Sequence, residues 1–215
     1  MRYVVSVLLL GGLLAVGASS VRGQDGLQYG LTLGFNRATL ENTPVDVSGR
    51  TVFAGGFGVR KQVFGPLSLQ AELLVSQQGT EIDQEGGGSI EYGAGYLELP
   101  LSVRAQAPPV GAFTFYGEGG GFGAVKLFER QTAGEGDINT SFDTDTSFYR
   151  QTNGGALAAV GAIIEIQGQQ INVAVRRSWG LVDVAQDIED QPFPEAPFPS
   201  TGKTRTWSML LRLGF

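Results

Sequence analysis

This chain of 215 residues contains no cysteine and no histidine, two residue types that often act in catalysis and bind metal ions. Without cysteine there is no disulfide framework, no thiol nucleophile and no cysteine-linked lipid anchor. Without histidine the Ser-His-Asp arrangement, the imidazole general base and most zinc sites are excluded. We therefore predict a protein that is not an enzyme and that holds no cofactor.

Charge and long apolar runs are also scarce. Only 17% of the residues are charged, the net charge is -6, and no basic cluster interrupts the chain, which argues against a nucleic-acid partner. Beyond the first 18 residues no apolar stretch is long enough for a transmembrane helix. What the chain has in excess is glycine, at 33 residues, which is unusual for a water-soluble domain.

The N-terminal segment has the composition of a secretory signal peptide. Met1 and Arg2 give a short positive start, and residues 4–18 form an apolar run that ends in small residues. Cleavage after Ala18 or after Gly23 fits the pattern, and we favour the second; an uncleaved membrane anchor is the alternative. The expected organisation is a signal peptide over 1–23 and one exported domain over 24–215.

The exported domain alternates apolar and polar residues, and its last segment, "TWSMLLRLGF", shows the pattern most clearly. Ser208, Leu210 and Arg212 share one face of this segment, and the opposite face is apolar: Trp207, Met209, Leu211, Leu213 and Phe215. A period of two residues indicates a β-strand. Seven earlier segments, from "LQYGLTLGF" to "INVAVRRSWGLV", are similar, so we predict about eight strands that are long enough to cross a bilayer when tilted.

The connections between these segments alternate in length. Three are short and rich in turn residues: 61–66, 106–111 and 167–170. The others are long and polar: 40–50, 79–91, 128–151 and 183–203. This layout predicts an all-β fold, an eight-stranded antiparallel up-and-down transmembrane β-barrel with short periplasmic turns and long extracellular loops. Pro100 interrupts the fourth strand, and we expect a bulge there.

The apolar face of the strands is predicted to face lipid. It is a nearly continuous series of Leu, Val, Ile and aromatic residues, whereas the polar face is rich in Gly, Ser and Gln and suits a crowded interior. In a closed barrel the last strand pairs with the first, so no strand edge is left open. Trp207 and Phe215 would then lie at opposite interfaces. A soluble exported barrel that binds a lipid-like ligand inside remains the alternative.

The polar face carries seven charged side chains, and a barrel of eight strands is too narrow for a water channel. Buried charges must pair, because an unpaired one is costly. We therefore predict an interior polar network that braces the barrel, with a proton or solute path as the alternative. Its members are Glu72, Glu98, Arg104, Glu118, Lys126, Arg176 and Arg212.

The long loops are acidic and hold two further candidates. Calcium prefers carboxylate oxygens, but no spacing in the loops matches a defined calcium cage, and solvated loops are the favoured interpretation. The Pro-rich segment 191–199, "QPFPEAPFP", is stiff and extended, and its aromatic residues Phe193 and Phe198 are candidates for contact with a protein partner.

The chain resembles a family of small bacterial outer-membrane β-barrels that includes PorT-like, OmpA-like and OmpX-like proteins. The resemblance rests on the order of "LSLQAELLVSQQGTE", "YLELPLSV", "FTFYGEGGGFG", "INVAVRRSWGL" and "WSMLLRLGF". It implies a monomer in contact with outer-membrane lipid, and Phe215 as the terminal signal for the outer-membrane assembly machinery.

A structural or binding role through the external loops is the function that we expect. A narrow pore or a secretion-system component is the alternative. The secretion role of PorT itself is not transferred to this chain, because a shared fold does not fix function.

Overall fold

Ten β-strands make up the part of the chain that the computed structural model describes, which is residues 26–41, 47–83, 89–133, 136–138, 150–166, 169–183 and 203–214. The strands are β1 (Leu27–Glu41), β2 (Val47–Gly49), β3 (Thr51–Phe64), β4 (Leu67–Asp83), β5 (Ser89–Gln106), β6 (Phe113–Ala133), β7 (Gly136–Ile138), β8 (Thr152–Ile166), β9 (Gln169–Asp183) and β10 (Lys203–Leu213). The predicted signal peptide, Phe193, Phe198 and Phe215 lie outside the described residues.

Within these ranges no helix is long and apolar enough to cross a membrane.

Eight of the strands close into a single antiparallel barrel, which confirms the predicted fold. Each long strand pairs with the next long strand along the chain, and β1 also pairs with β10. The two short strands extend the barrel wall at one rim, where β2 pairs with β4 and β7 pairs with β6. Closure means that the first and last long strands satisfy each other's backbone groups and leave no open edge.

The strands are strongly staggered around the barrel. A row of paired residues that starts at Arg37 in β1 passes through Trp207 in β10 and Arg177 in β9, and it returns to β1 at Leu27, ten residues earlier. A stagger of this size in an eight-stranded barrel tilts the strands and leaves an interior that side chains fill.

Apolar side chains cover the outside of the barrel, as the alternation predicts. Leu69, Leu99 and Val173 are 51%, 47% and 40% exposed, whereas Glu72 and Arg212 are 2% and 0% exposed. Exposed aromatic side chains lie toward both rims, Phe64 and Phe113 at the short turns and Trp207 toward the long connections. An apolar outer band with aromatic residues at its limits is the surface that a membrane-spanning barrel presents to lipid.

Three strands run farther than their sequences suggest. Residues 79–91 were expected to form a loop, but β4 and β5 stay paired there, with Thr80 opposite Tyr92 and Ile82 opposite Ile90. In the same way β6 continues to Ala133, inside the expected loop 128–151. The expectation was wrong because polarity marks the limit of the apolar band, whereas strand pairing continues beyond that limit.

The bulge expected at Pro100 is absent. Pro100 is buried on the inner face and keeps its register opposite Phe122 of β6. On the other side, the paired register with β4 omits the two steps that involve Glu72 and Leu73. Proline has no N–H to donate, so the barrel tolerates it through a local gap in one ladder and needs no extra residue. The register shift in β5 lies instead between Gly95 and Tyr96.

Lipid contact makes a clear prediction for the outer face. Leu101 lies midway along the outward apolar positions of β5, between Leu97 and Ala105, and is 53% exposed, and Val110 in the short β5–β6 turn is 67% exposed. We expect Leu101→Arg to lower the free energy of unfolding in lipid vesicles by about 2–4 kcal/mol, because the charge enters hydrocarbon. Equilibrium guanidinium unfolding measures this change. Val110→Arg is the control and should have little effect; equal effects of the two variants would contradict the orientation.

Candidate functional site: the charged interior

Arg212 is the centre of a group of charged side chains that spans the barrel interior. It comes from β10, is fully buried, and joins two glutamates that reach it from other walls. Its Nε and Nη2 donate to Glu72 Oε1 and Oε2 at 3.0 and 3.1 Å. Its Nη1 donates to Glu118 Oε1 at 3.1 Å. The planar guanidinium thus forms a two-pronged contact with one carboxylate and reaches the second with its remaining edge.

Glu72 is held by three neighbours from three strands. Besides Arg212 it accepts a hydrogen bond from Thr32 Oγ1 in β1, at 2.7 Å to Oε1, and Arg176 Nη2 in β9 donates to its Oε2. A carboxylate taken out of water needs several donors to replace its hydration. Glu72 has them, which explains how it can be almost completely buried as an ion.

Glu118 belongs to the other half of the cluster. Arg104 Nε of β5 donates to Glu118 Oε1 at 2.7 Å, and the Arg104 guanidinium lies 4.0 Å from the centre of the Tyr116 ring. The Tyr116 hydroxyl accepts from Arg212 Nη1 at 3.2 Å and donates to Asn172 Oδ1 at 2.5 Å. A cation above an aromatic face adds to the charge pairing.

These contacts define a central ion cluster of Glu72, Arg104, Glu118, Arg176 and Arg212, five of the seven charged residues that the sequence places inside. Lys126 and Glu98 also face inward but lie apart from its centre. Lys126 Nζ pairs with Glu129 Oε2 at 2.9 Å, nearer the long-connection rim. Glu98 hydrogen-bonds with Ser76 and lies within electrostatic reach of Arg176.

The cluster divides the space inside the barrel. On the short-turn side there is an open cavity of about 280 Å³, and Arg60 and Glu165 are among its lining residues. On the other side, a gap of about 10 Å³ lies between Glu98, Phe122 and Arg176. That volume is at the lower limit for one water molecule. The arrangement is therefore a solid cross-section of paired charges with a vestibule on one side.

Thr32, Arg60, Tyr116 and Asn172 are among the buried interior residues that were not singled out from the sequence. Each lies on the inner face that the alternation predicts. Thr32, Tyr116 and Asn172 were missed because the sequence analysis selected inward residues by formal charge. Arg60 donates from Nε and Nη2 to Gln28 Oε1 at 2.8 and 2.6 Å.

Tyr116 depends on a glycine in the neighbouring strand. Gly161 of β8 pairs with Tyr116 in register, and a Cβ built on Gly161 would collide with the tyrosine hydroxyl. The missing side chain therefore leaves the space in which the hydroxyl reaches Asn172 and Arg212. No sequence motif marks this role of Gly161.

Among the residues that the structure describes, no three His, Cys, Asp or Glu side chains come together in a way that could hold a metal ion. Most of the acidic residues in the two longest loops lie outside that range, and for them the prediction from the sequence stays that of solvated loops without a calcium site.

A closed barrel with an apolar exterior and an ion-paired interior is a membrane-spanning β-barrel. Residues 18–186 match the family described as outer membrane protein beta-barrel domain, so the chain belongs to this family and is a bacterial outer-membrane protein. The outer-membrane barrel family and the location predicted from the sequence are both confirmed. Among curated proteins the chain has no match.

Several solved structures are similar to this chain. Neisserial surface protein A (NspA) has a TM-score of 0.47 and 9% identity, with 88% of this chain and 97% of that chain covered. The outer membrane protein OprG from Pseudomonas aeruginosa has a TM-score of 0.46 and 12% identity, with coverage of 87% and 91%. Ail, the attachment invasion locus protein of Yersinia pestis, has a TM-score of 0.41 and 8% identity, with coverage of 86% and 95%.

Removing one carboxylate of the cluster should be severely destabilising. Glu72→Gln leaves two buried guanidinium groups without their shared anion, and we expect a loss of about 3–5 kcal/mol in the free energy of unfolding. Denaturant unfolding in vesicles measures this loss, with the heat-dependent gel mobility of the barrel as the readout of the folded fraction. The double variant with Arg212→Gln should cost less than the sum of the single changes. Additive effects would show that the two side chains do not interact.

The hydroxyl of Tyr116 can be tested with a matched pair of variants. Tyr116→Phe removes its bonds to Asn172 and Arg212 and leaves two buried polar groups short of a partner, which should cost about 1–3 kcal/mol. Tyr29→Phe makes the same chemical change on the outer face, where the side chain is 47% exposed, and it should be nearly neutral. Similar unfolding midpoints for the two variants would contradict the interior role of Tyr116.

Proposed function

We propose that this protein is a non-enzymatic, non-conducting outer-membrane scaffold that acts by binding partners through its external loops. One observation carries the proposal: the interior is occupied by the central ion cluster, with Arg212 fully buried between Glu72 and Glu118. A barrel whose interior is filled with paired side chains has only its rims and its outer wall for interaction with other molecules.

The residue chemistry supports a role without catalysis. The sequence lacks histidine and cysteine altogether, and so lacks the usual general base and thiol nucleophile. The interior carboxylates Glu72 and Glu118 are each engaged by arginines and shielded from solvent. A carboxylate in that setting stabilises the fold and is poorly placed to meet a substrate.

A narrow pore, the second function considered from the sequence, has less support. Ions crossing the barrel would have to separate Arg212 from both of its glutamates, and the loss of such buried pairs is costly. The third function, a soluble barrel with a lipid-like ligand inside, requires an apolar interior. Here most of the buried side chains are charged or polar, with Arg104, Asn172 and Arg212 fully buried, and apolar ones such as Leu74, Leu157 and Leu210 are fewer.

The long-connection rim is the place where we expect binding. The hairpins of β4 with β5 and of β6 with β7 carry paired strands into the connections at this rim. Residues 191–199 belong to the connection from β9 to β10, and their sequence places Phe193 and Phe198 between prolines, a composition that predicts a stiff segment with two apolar anchors. In this proposal residues 1–23 are the signal peptide, residues 24–215 form a monomeric barrel, and Phe215 is read by the assembly machinery.

Conductance separates the scaffold from the pore. We expect the full barrel, reconstituted in planar bilayers, to show no steady single-channel current across a range of voltages. A large porin reconstituted in the same way serves as the positive control for insertion. Reproducible unit currents that depend on the amount of this protein would overturn the non-conducting part of the proposal.

Binding through the loop can be tested by site-specific crosslinking in intact cells. A photoreactive amino acid at position 193 or 198 should give a discrete protein adduct, and the same group at position 110, in a short turn, should not give that adduct. We expect Phe193→Ala to reduce the adduct formed from position 198, because both rings would anchor one partner. Identical products from all three positions, or none from the loop, would contradict this assignment.

A further inference from the structure

The outer wall has one region that is basic instead of apolar. On the outward faces of β1, β10 and β9 lie Arg37, Trp207, Arg177 and Trp179, which we call the basic–aromatic patch. We propose that this patch binds the phosphate groups of lipid A, the phosphorylated glycolipid of the outer leaflet. The inference goes beyond the binding role proposed for the loops, since its ligand is a membrane lipid.

The four side chains are neighbours across three adjacent strands. Arg37 pairs in register with Trp207, and Trp207 pairs with Arg177. One outward position closer to the rim, Arg205 pairs with Trp179. The Arg177 guanidinium lies 4.6 Å from the centre of the Trp207 ring and 5.8 Å from that of Trp179. The two indoles therefore hold this cation between them.

All four side chains point away from the interior. Their neighbours along the strands, Asn36, Arg176, Ser178 and Ser208, are buried inside the barrel, whereas Trp207 is 50% exposed and Arg37 is also exposed. Because side chains of a strand alternate between its two faces, Arg37 and Arg177 face the surroundings of the barrel.

Arg37 and Arg177 bring positive charge to the outer wall. None of the ion pairs within the described ranges includes Arg37 or Arg177. Arg205, which adds a third guanidinium nearby, donates from Nη1 to the Gly180 carbonyl at 3.2 Å. Asp183 pairs in register with Lys203, one step farther toward the rim. The charge balance of the patch is therefore positive.

The patch lies at the upper limit of the apolar band. In β1 the outward positions Leu27, Tyr29, Leu31, Leu33 and Phe35 precede Arg37. The eight residue steps from Leu27 to Phe35 along a tilted strand cover roughly 20 Å of height, close to the band of about 25 Å that such barrels present to lipid. The paired row descends from Arg37 through Trp207 to Arg177, so Arg177 lies deeper in the band. A cation at that depth requires an anion close by.

Phosphate is the anion that suits these groups. A guanidinium binds phosphate with two parallel hydrogen bonds, and indole rings settle at the level of lipid headgroups. Arg37 and Arg177 are separated by two strand spacings, roughly 10 Å. That separation suits a headgroup with more than one phosphate, which lipid A has, better than the single phosphate of a phospholipid.

The chain carries its own probe for this site, because its two tryptophans are Trp179 and Trp207. We would titrate the folded, detergent-solubilised full chain with bisphosphorylated lipid A and record tryptophan emission. We expect a saturable change, with binding at least about tenfold weaker for enzymatically dephosphorylated lipid A and for phosphatidylglycerol. Equal binding of dephosphorylated lipid A would overturn the role of phosphate. Equal binding of phosphatidylglycerol would overturn the choice of lipid.

Variants locate the binding on the barrel. The double variant Arg37→Gln with Arg177→Gln should weaken binding of lipid A by at least about tenfold. Lys61→Gln is the matched control, since Lys61 is an outward cation of β3 at the opposite rim, and its affinity should equal that of the unmodified chain. Heat-dependent gel mobility checks that each variant is folded. If the double variant does not fold, Arg37→Gln alone should still weaken binding. Unchanged affinity in the folded variant would overturn the patch as the site.

Discussion

Hydrocarbon offers no hydrogen-bond partner, and this constraint organises the whole molecule. Every backbone N–H and C=O within the band must be paired by the protein itself. The pairing of β1 with β10 meets that demand, because it removes the two edges that an open sheet would expose to lipid. Even Pro100, which cannot donate, is tolerated inside the barrel wall, where the ladder with β4 has a gap beside it and the ladder with β6 stays in register.

Closure also decides what the interior can be. Eight strands with a ten-residue stagger enclose a space that side chains fill, and here the side chains at its centre are charged. The cluster places three arginines around two glutamates: Arg212 bridges Glu72 and Glu118, while Arg176 and Arg104 add a second arginine to each glutamate. A buried ion pair is seldom more stable than an apolar core of equal volume. Its value here is that it fixes which face of the strands points outward. If both faces were apolar, either one could face lipid, whereas a charged face cannot.

On the outer wall the constraint is reversed, because a charged side chain there faces hydrocarbon. Most outward positions avoid charge, so the arginines of the basic–aromatic patch stand out by their position more than by their chemistry. Arg176 and Arg177 are adjacent in β9, yet one binds Glu72 in the interior and the other lies between two indoles facing lipid. An identical side chain thus stabilises the fold at one position and is available to a membrane ligand at the next.

Alternation in the sequence determined the strands, the number of barrel strands and the face on which each residue lies, because the period of two is a property of the backbone itself. It placed Glu72, Glu118 and Arg212 together on the inner face, but it could not say which charges would meet. Glu72 and Arg212 are 140 residues apart, and their contact depends on the stagger of the closed barrel, which no local pattern encodes. Tertiary structure alone decided that Gly161 makes room for Tyr116 and that Arg37, Trp207 and Arg177 form one surface. Each of these is a relation between strands, and register is settled only when the barrel closes.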